Sequence, residues 1–274
     1  LFHSHATTVG AITALAMAAI DTALWDLKCR KAGLPLHVAA GGAKDAIPVY
    51  TTEGGWLHHS PELLVAEAIK AKDEGFKGAK IKVGKPTGGE DRARLDAVRA
   101  AVGGEFALMV DANQRFTAAE ALRRARLYEP IDLEWFEEPL PADDIAGHVR
   151  LQAGTSLPIA VGESLYSPTH FSEYLKRDAC GIVQVDVARI GGITPWLKVA
   201  HLAECANVPV APHFLMELHL GLVCAVPNSI WLEYIPQLDR IATSRVKIED
   251  GLAKPSPAPG LGIDWDWAAI DGHT

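Results

Sequence analysis

The sequence lacks long apolar stretches. A helix that spans a bilayer needs about 18 or more consecutive apolar residues, and no such run occurs in the chain. Hydrophobic residues still make up 49% of the 274 residues, and the mean hydropathy is +0.09, so the chain can bury one large core. We therefore expect a soluble domain of enzyme size, with no membrane partner.

Positive charge is also scarce. The 26 Lys and Arg residues are outnumbered by 34 Asp and Glu residues, which gives a net charge of −8 and a pI near 5.8. Because nucleic acids and anionic membranes are bound through positive fields, neither is expected as a partner. An anionic substrate would have to be attracted by cations placed locally at its site.

Cysteine pairs and common nucleotide or hydrolase motifs are missing. The four cysteines contain no CxxC spacing, and we interpret them as reduced core residues of a cytoplasmic protein: Cys29, Cys180, Cys205 and Cys224. The chain has no P-loop, no GxGxxG motif after a strand and no GxSxG elbow. A zinc site or a disulfide framework is not expected.

What the sequence does contain is a repeated alternation of strand and helix patterns. Eight runs of about four to six apolar or β-branched residues read as buried parallel strands, and a stretch of helical periodicity follows each strand. The runs are residues 47–50, 79–83, 106–110, 133–136, 158–161, 181–185, 208–211 and 230–234. This order predicts an α/β fold, a (β/α)8 barrel over residues 46–247.

Six ionisable residues close strands at intervals of 23 to 29 residues. They are Lys82, Asp111, Glu137, Glu163, Asp186 and His213. In this fold catalytic groups lie at the carboxyl ends of the strands, so all six would converge on one mouth of the barrel. Any one of them could be a solvated loop charge, but burying unpaired charges is costly, so the whole set favours a functional site.

Three of these residues are carboxylates on consecutive strands: Asp111, Glu137 and Glu163. Convergent carboxylates repel one another unless a cation lies between them, and oxygen ligands select a hard divalent ion. Mg²⁺ also keeps coordination positions open for substrate oxygens. The sequence thus predicts a Mg²⁺ site that stabilises negative charge during the reaction.

Two candidate bases flank the carboxylates. Lys80 and Lys82 are two residues apart on one strand and share a face, and a lysine near another cation is expected to have a lowered pKa. On the other side, Asp186 would hydrogen-bond His213, fix its tautomer and favour the imidazolium. A metal with two facing bases suits removal of a proton from the carbon next to a carboxylate.

Seven stretches of the chain resemble motifs of the enolase superfamily. They are AKIKVGK (79–85), MVDANQ (109–114), WFEEPL (135–140), VGES (161–164), VDVARIGG (185–192), APHF (211–214) and WLEY (231–234). More narrowly, the chain is similar to the mandelate racemase subgroup and above all to its acid-sugar dehydratases, over nearly its whole length. A Lys or His base combined with Mg²⁺ is the general pattern of that superfamily.

The resemblance implies a role for each matching residue. Asp111, Glu137 and Glu163 correspond to the metal ligands, and Glu137 is preferred to Glu138 because the first Glu of EEP has that role. Lys82 corresponds to the catalytic base, and Lys80 to the lysine that contacts the substrate carboxylate. His213 and Asp186 correspond to the family's histidine–aspartate pair, and Glu233 to the acid that hydrogen-bonds the enediolate. Asn113, placed on the same strand face as Asp111, would lie in or just outside the metal's inner shell and contact substrate.

Dehydratase and racemase chemistry are harder to separate, since both can use Lys82 and His213. The loop of residues 51–60 places Trp56, His58 and His59 near the mouth, where they could hydrogen-bond a polyol. This favours dehydration of a hydroxylated sugar acid to a 2-keto-3-deoxy acid. Racemisation of a 2-hydroxy acid such as mandelate remains the alternative, and a catalytically silent barrel that serves as a binding module is the alternative from another class.

The ends of the chain depart from the family pattern. The resemblance implies an N-terminal capping domain, of which residues 1–45 hold a truncated, helical remnant; residues 11–33 are predicted to be a helix ending at Gly33. Asp21 and Asp26 argue against a signal peptide. Residues 248–274 are predicted to be an irregular segment without a helix that packs back toward the cap. His3 and His5 are interpreted as loop residues, and the resemblance allows a homo-oligomer.

Overall fold

Parallel strands form a closed barrel in the computed structural model, which describes residues 10–272. The strands are β1 (Ile47–Thr51), β2 (Gly78–Lys82), β3 (Ala107–Asp111), β4 (Phe136–Glu137), β5 (Ile159–Val161), β6 (Ile182–Val183) and β7 (Leu232–Tyr234). Each pairs in parallel with the next from β1 to β6, and β7 pairs in parallel with β1. The ring confirms the predicted (β/α)8 barrel.

The strand expected at residues 208–211 is reduced to a single bridging residue. Val210 bridges Val183 on one side and Ser229 on the other, so it completes the ring between β6 and β7. Pro209 precedes it and has no backbone N–H to donate, which limits how far a central ladder can extend. The eighth position in the ring is therefore present, but shorter than predicted.

Register aligns the ends of neighbouring strands. Lys82 pairs with Asp111, and Asp111 pairs with Glu137. On the far side of β1, Tyr50 pairs with Glu233. Because parallel strands all run the same way, the charged residues that end them meet at one mouth.

Helices pack outside the strands. They are α1 (Ala11–Ala32), α2 (Leu36–Ala39), α3 (Pro61–Asp73), α4 (Gly88–Val102), α5 (Ala118–Tyr128), α6 (Ile145–Gly154), α7 (Pro168–Lys176), α8 (Ile193–Cys205), α9 (Met216–Val223) and α10 (Trp267–Asp271). Four of them begin after a hydroxyl side chain that accepts a hydrogen bond from the first turn: Ser60, Thr87, Thr117 and Ser167.

Apolar side chains fill both sides of the strands. The larger core lies between strands and helices and includes Val49, Leu108 and Val110. Their neighbours Tyr50 and Met109 belong to a separate buried cluster, as expected when successive strand residues face opposite ways. This second cluster lies beneath the charged mouth, and the Lys80 ammonium stands 5.8 Å from the Tyr50 ring centre.

The predicted N-terminal helix is confirmed. α1 ends at Gly33, whose φ of 66° is the left-handed conformation that glycine adopts readily. Polar contacts attach α1 to α8: Thr194 N–H donates to Asp21 (2.8 Å), and Trp25 Nε1 donates to Thr194 Oγ1 (2.9 Å). The opposite face of α1 is apolar and exposed, for example at Ile12 and Ile20.

Residues after 247 return to the start of the chain. The hairpin β8 (Ile248–Glu249) and β9 (Leu252–Ala253) pairs antiparallel with β1. Gly260 then exchanges hydrogen bonds with Leu34 and Leu36. The expectation of a tail without a helix is wrong at α10, where Asp266 accepts a hydrogen bond from Ala269 N–H and so caps a five-residue helix.

The structure bears on two further predictions, those on the cysteines and on membrane-spanning helices. All four cysteines are free, and three are buried, but Cys205 is exposed at the end of α8 and is not a core residue. Within residues 10–272, no helix combines the length and the apolar character that crossing a membrane requires. His3 and His5 lie outside the described residues.

Candidate active site

Three buried carboxylates converge at the mouth of the barrel. One oxygen each from Asp111, Glu137 and Glu163 lies within 4.8 Å of the other two. Asp111 and Glu137 are fully buried, and Glu163 is 8% exposed. Burial of three like charges this close is unfavourable without a cation, and an all-oxygen donor set fits a hard divalent ion. The sequence-predicted ligands therefore form a site able to hold a metal.

Three side-chain donors hold the Glu137 carboxylate. Lys80 Nζ lies 2.8 Å from Oε1, while Gln184 Nε2 (2.8 Å) and Trp135 Nε1 (3.1 Å) donate to Oε2. Burial raises the pKa of Glu137, and the ammonium of Lys80 opposes that rise. Glu138, by contrast, turns toward Gln114 (3.2 Å), which agrees with the choice of Glu137 as the ligand.

Lys80 departs from the expectation of a lowered pKa. Its ammonium is 1% exposed and contacts both Glu137 (2.8 Å) and Glu233 (2.7 Å). Burial lowers the pKa of Lys80, but the surrounding carboxylates outweigh burial and raise it well above the usual value. These carboxylates thus favour the charged form of Lys80. The lysine beside it in sequence would lower its pKa, but the carboxylates of Glu137 on β4 and Glu233 on β7 have the larger effect.

Lys82 occupies the more open position of the two lysines. Its Nζ contacts a carboxylate oxygen of Asp111, and its side chain is 16% exposed. It also lines a cavity of about 360 Å³ at the mouth, together with Trp56, His58 and Asn113. A substrate in this cavity would meet Lys82 directly.

His213 and Asp186 form the predicted pair on the other side of the carboxylates. His213 Nδ1 lies 2.8 Å from Asp186 Oδ2, and its Nε2 lies 3.4 Å from Glu163. Burial lowers the pKa of His213, but the hydrogen bond to Asp186 and the charge of Glu163 raise it above its usual value. The hydrogen bond to Asp186 and the nearby carboxylates thus favour the protonated ring.

Glu233 joins the first and last strands of the ring. One oxygen lies 2.6 Å from Thr52 Oγ1 and 2.7 Å from Lys80 Nζ, and the other accepts from Phe214 N–H (2.7 Å). Burial raises the pKa of Glu233, but Lys80 and His213 outweigh burial and lower it to about 2. Glu233 is thus an anion directly beside the cluster.

The residues predicted to contact substrate divide into two groups. Trp56, His58 and Asn113 line the mouth cavity. His59 hydrogen-bonds Gly54 O (2.9 Å) within its own loop instead. Asn113 is not on the face of β3 as expected, because the strand ends at Asp111; Asn113 lies in the following loop with φ 43° and donates its N–H to Asp111 (2.8 Å).

Sequence reasoning missed several side chains that support the site. Arg189 donates to the carboxylate of Glu163 (3.2 Å). Arg94, buried on α4, donates to the carbonyls of Lys82 (2.9 Å) and Trp56 (3.2 Å) and so fixes two mouth segments. Gln184 could have been found, because it is a polar residue inside an otherwise apolar strand; a helix arginine such as Arg94 gives no comparable pattern.

Comparison with known proteins identifies the family. Residues 63–269 match the model for "Enolase C-terminal domain-like" proteins, and residues 2–41 match that for the N-terminal domain of "Mandelate racemase / muconate lactonizing enzyme" proteins. The chain belongs to the mandelate racemase/muconate lactonizing enzyme family. The (β/α)8 barrel and the carboxylate cluster described above are what this membership predicts.

Within this family the chain is similar to acid-sugar dehydratases and to an epimerase. It is 42% identical over 248 residues to L-talarate/galactarate dehydratase of Salmonella typhimurium, which covers 90% of this chain and 62% of that protein. It is 31% identical to L-Ala-D/L-Glu epimerase of Bacillus subtilis, with 90% and 70% covered. The chain thus spans about three fifths of the length of the dehydratase.

A solved structure of the mandelate racemase/muconate lactonizing enzyme family has the same fold. L-Talarate dehydratase from Polaromonas sp. JS666, in a crystal structure complexed with Mg and L-glucarate, superposes with a TM-score of 0.94 at 39% identity. The match covers 98% of this chain and 72% of that chain. The barrel and the tail that packs against it thus have a close experimental counterpart.

Proposed function

We propose that this chain provides the catalytic barrel of a Mg²⁺-dependent acid-sugar dehydratase. The proposed reaction removes the proton α to a carboxylate and then the β-hydroxyl group, and yields a 2-keto-3-deoxy acid. One observation carries the proposal: two candidate bases lie on opposite sides of the three carboxylates that could hold a metal ion. Lys82 contacts Asp111 on one side, and on the other side His213 Nε2 lies 3.4 Å from Glu163.

Asp111, Glu137 and Glu163 would hold the cation. When bound, Mg²⁺ supplies Lewis-acid stabilisation of the negative charge that develops on the substrate carboxylate. Lys80 lies behind the ligands as a buried cation, and we assign it to the same carboxylate. Its fixed positive charge favours the enediolate, because a preorganised charge in a water-poor site needs no reorganisation during the reaction.

Lys82 and His213 share the proton transfers. One base takes the α-proton, and the electrons of the C–H bond pass into the carboxylate to form the enediolate. The acid on the opposite side then protonates the β-hydroxyl group, which leaves as water as the C–O bond breaks. The resulting enol becomes the keto acid by taking up a proton at carbon 3.

The Asp186 carboxylate keeps His213 in the role of proton donor. Because Asp186 accepts from Nδ1, the Nε2 atom faces Glu163 and the substrate space. We assign Glu233 to an enediolate oxygen, as the resemblance implies; because its carboxylate is an anion beside Lys80, it would have to take up a proton before it could donate to that oxygen. These assignments give each sequence-predicted group one task.

Support for a sugar acid comes from the mouth and from the relatives. Trp56, His58 and Asn113 line the cavity beside Lys82 and offer several hydrogen-bonding groups to a polyol chain. Among the relatives are dehydratases of arabinonate (34% identity) and D-galactonate (32%) in addition to the talarate/galactarate enzyme. An aromatic hydroxy acid would instead favour an apolar cavity.

Racemisation or epimerisation of a 2-hydroxy acid is the second candidate. Lys82 and His213 on opposite sides of the metal ligands suit removal from one face and return to the other, and an L-Ala-D/L-Glu epimerase is among the relatives. A silent binding module is the third candidate, and it would show no hydrogen exchange at all.

Proton NMR in D₂O with Mg²⁺ tests these candidates. The loss of the α-proton signal is followed for galactarate, galactonate and mandelate, with EDTA as the control. Exchange together with a keto-deoxy product is the expected result. Exchange without loss of water would replace the dehydratase by a racemase or epimerase, and no exchange for any acid would contradict both.

A further inference from the structure

A second buried histidine lies behind the catalytic pair. His219 is on α9, is fully buried, and makes two hydrogen bonds to backbone groups of different loops. Val187 N–H donates to Nε2 (3.0 Å), and Nδ1 lies 2.6 Å from Phe214 O. Val187 directly follows Asp186, and Phe214 directly follows His213, so His219 connects the two segments that carry the pair.

The partners fix the protonation state of His219. A backbone N–H can only donate, so Nε2 must accept, and a carbonyl can only accept, so Nδ1 must carry the hydrogen. Only the neutral ring with its hydrogen on Nδ1 satisfies both bonds. Burial lowers the pKa of His219, which agrees with a permanently neutral ring. His219 is therefore not a proton carrier, in contrast to His213.

The segment that His219 holds is strained. Phe214 and Leu215 follow each other with φ of 62° and 37°, in the left-handed region that bulky residues rarely adopt. Such conformations persist only where the surroundings hold them. The backbone of Phe214 is held on both sides of its Cα atom, since its N–H donates to Glu233 (2.7 Å) and its carbonyl accepts from His219. The orientation of the His213 side chain depends on the backbone conformation of this segment.

We propose that His219 is a positioning residue, which holds His213 and Asp186 at hydrogen-bonding distance by bridging the segments that follow them. The catalytic part of this inference rests on the proposed function, whereas the structural part does not. His219 acts through the pair and touches no substrate. Loss of its two bonds should misplace His213 while Lys82, on the other side of the barrel, keeps its place.

The test compares three variants. His219→Phe keeps a planar ring and removes both hydrogen bonds. His219→Asn can place its amide N–H near the position of Nδ1, so it keeps the bond to Phe214 and loses the bond to Val187. His148→Phe is the matched control: His148 is also fully buried, but it hydrogen-bonds Asp144 O (3.0 Å) and Tyr174 (3.1 Å) on α6 and α7, away from the pair.

The first readout is structural and needs no turnover. Crystal structures should show that His219→Phe loses the 2.8 Å contact between His213 Nδ1 and Asp186 Oδ2, and that His148→Phe keeps it. A His219→Phe structure with this contact unchanged would overturn the proposal. If His219→Phe does not fold, His219→Asn carries the same comparison, and a movement of Asp186 relative to His213 is the expected result.

The second readout is hydrogen exchange at the α-carbon, measured separately for substrates that present the proton to each base. A misplacement of ~1 Å can cost about a hundredfold in rate, so His219→Phe should lose about that factor at the face served by His213 and little at the face served by Lys82. The loss in His219→Asn should be smaller. Equal loss at both faces would show a general structural defect and overturn the positioning role. If the wild type exchanges no acid, the proposed function fails, and the crystal comparison still decides the role of His219.

Discussion

His213 Nδ1 lies 2.8 Å from Asp186 Oδ2, and this contact joins segments that follow neighbouring positions of the barrel ring. It fixes which nitrogen of the ring faces the carboxylate cluster. Lys82 contacts the same cluster from β2, on the other side. In the proposed function each of these two side chains would reach only one face of a bound substrate, so neither could replace the other.

The first prediction separates the two bases. Lys82→Ala should slow α-proton exchange at one face of the substrate, and His213→Asn should slow it at the other, each by about 10²- to 10⁴-fold, the usual loss for a missing general base. Deuterium incorporation measured on two C2 epimers gives both rates. If each variant lost both exchanges equally, the two-base arrangement would be wrong.

The second prediction concerns the metal. Glu137→Gln removes one of the negative charges that would bind the cation, so Mg²⁺ affinity should fall more than tenfold. This corresponds to a loss of about 1.4 kcal/mol or more of binding free energy. The free energy of unfolding without metal should change little, since Lys80 keeps Glu233 as a partner. Calorimetric titration and denaturant unfolding measure the two quantities. A collapse of stability with unchanged Mg²⁺ affinity would make Glu137 a structural residue.

The third prediction concerns Arg94. Arg94→Met should cost about 1.5–3 kcal/mol of stability, the usual range for hydrogen bonds to a charged group, and should also slow exchange because the Lys82 and Trp56 carbonyls lose their donor. Arg99→Met is the control on the same helix. Arg99 donates to carbonyls of Ile131 (3.0 Å) and Phe106 (2.6 Å). Phe106 directly precedes the first residue of β3, at the end of the strand away from Asp111.

Both arginine variants should lower the denaturation midpoint by similar amounts, but only Arg94→Met should change the exchange rate. Rates are compared at a temperature where both variants are folded. An equal loss of activity in Arg99→Met would mean that general destabilisation, and not the placement of Lys82, explains the effect.

The fourth prediction concerns pH. Burial lowers the pKa of His148 below its ordinary value of 6.5, and Nε2 has no hydrogen-bond partner among residues 10–272. As the pH falls below 6.5, the unfolded chain binds a proton at His148 before the folded chain does. The free energy of unfolding therefore decreases, by at most about 1.4 kcal/mol per pH unit for one proton.

His148→Asn should remove the part of this decrease in unfolding free energy that falls between about pH 6.5 and the lower pKa of His148 in the folded chain. Urea unfolding at several pH values across that interval measures it. If His148→Asn kept the wild-type slope, the buried ring would not be the group that titrates.

The sequence predicted the barrel and the ends of its strands because both depend on local pattern. A buried parallel strand is a short apolar run, and a charge at its end is visible in the same run, as at Asp111 and Glu163. Contacts between separate elements leave no such pattern. The raised pKa of Lys80 depends on Glu137 and Glu233, which lie on other strands, and the roles of Arg94 and His219 depend on carbonyls that any residue type would present.

The pairing of β7 with β1 also has a consequence for how the chain folds. Glu233 meets Thr52 across 181 positions of sequence, so this contact can form only when the last strand closes the ring. Before closure, Lys80 lacks one of its two nearest carboxylates and the site lacks one of its anions. The surroundings of Lys80, which begin to form within the early strands, are therefore complete only when the final strand of the ring is in place.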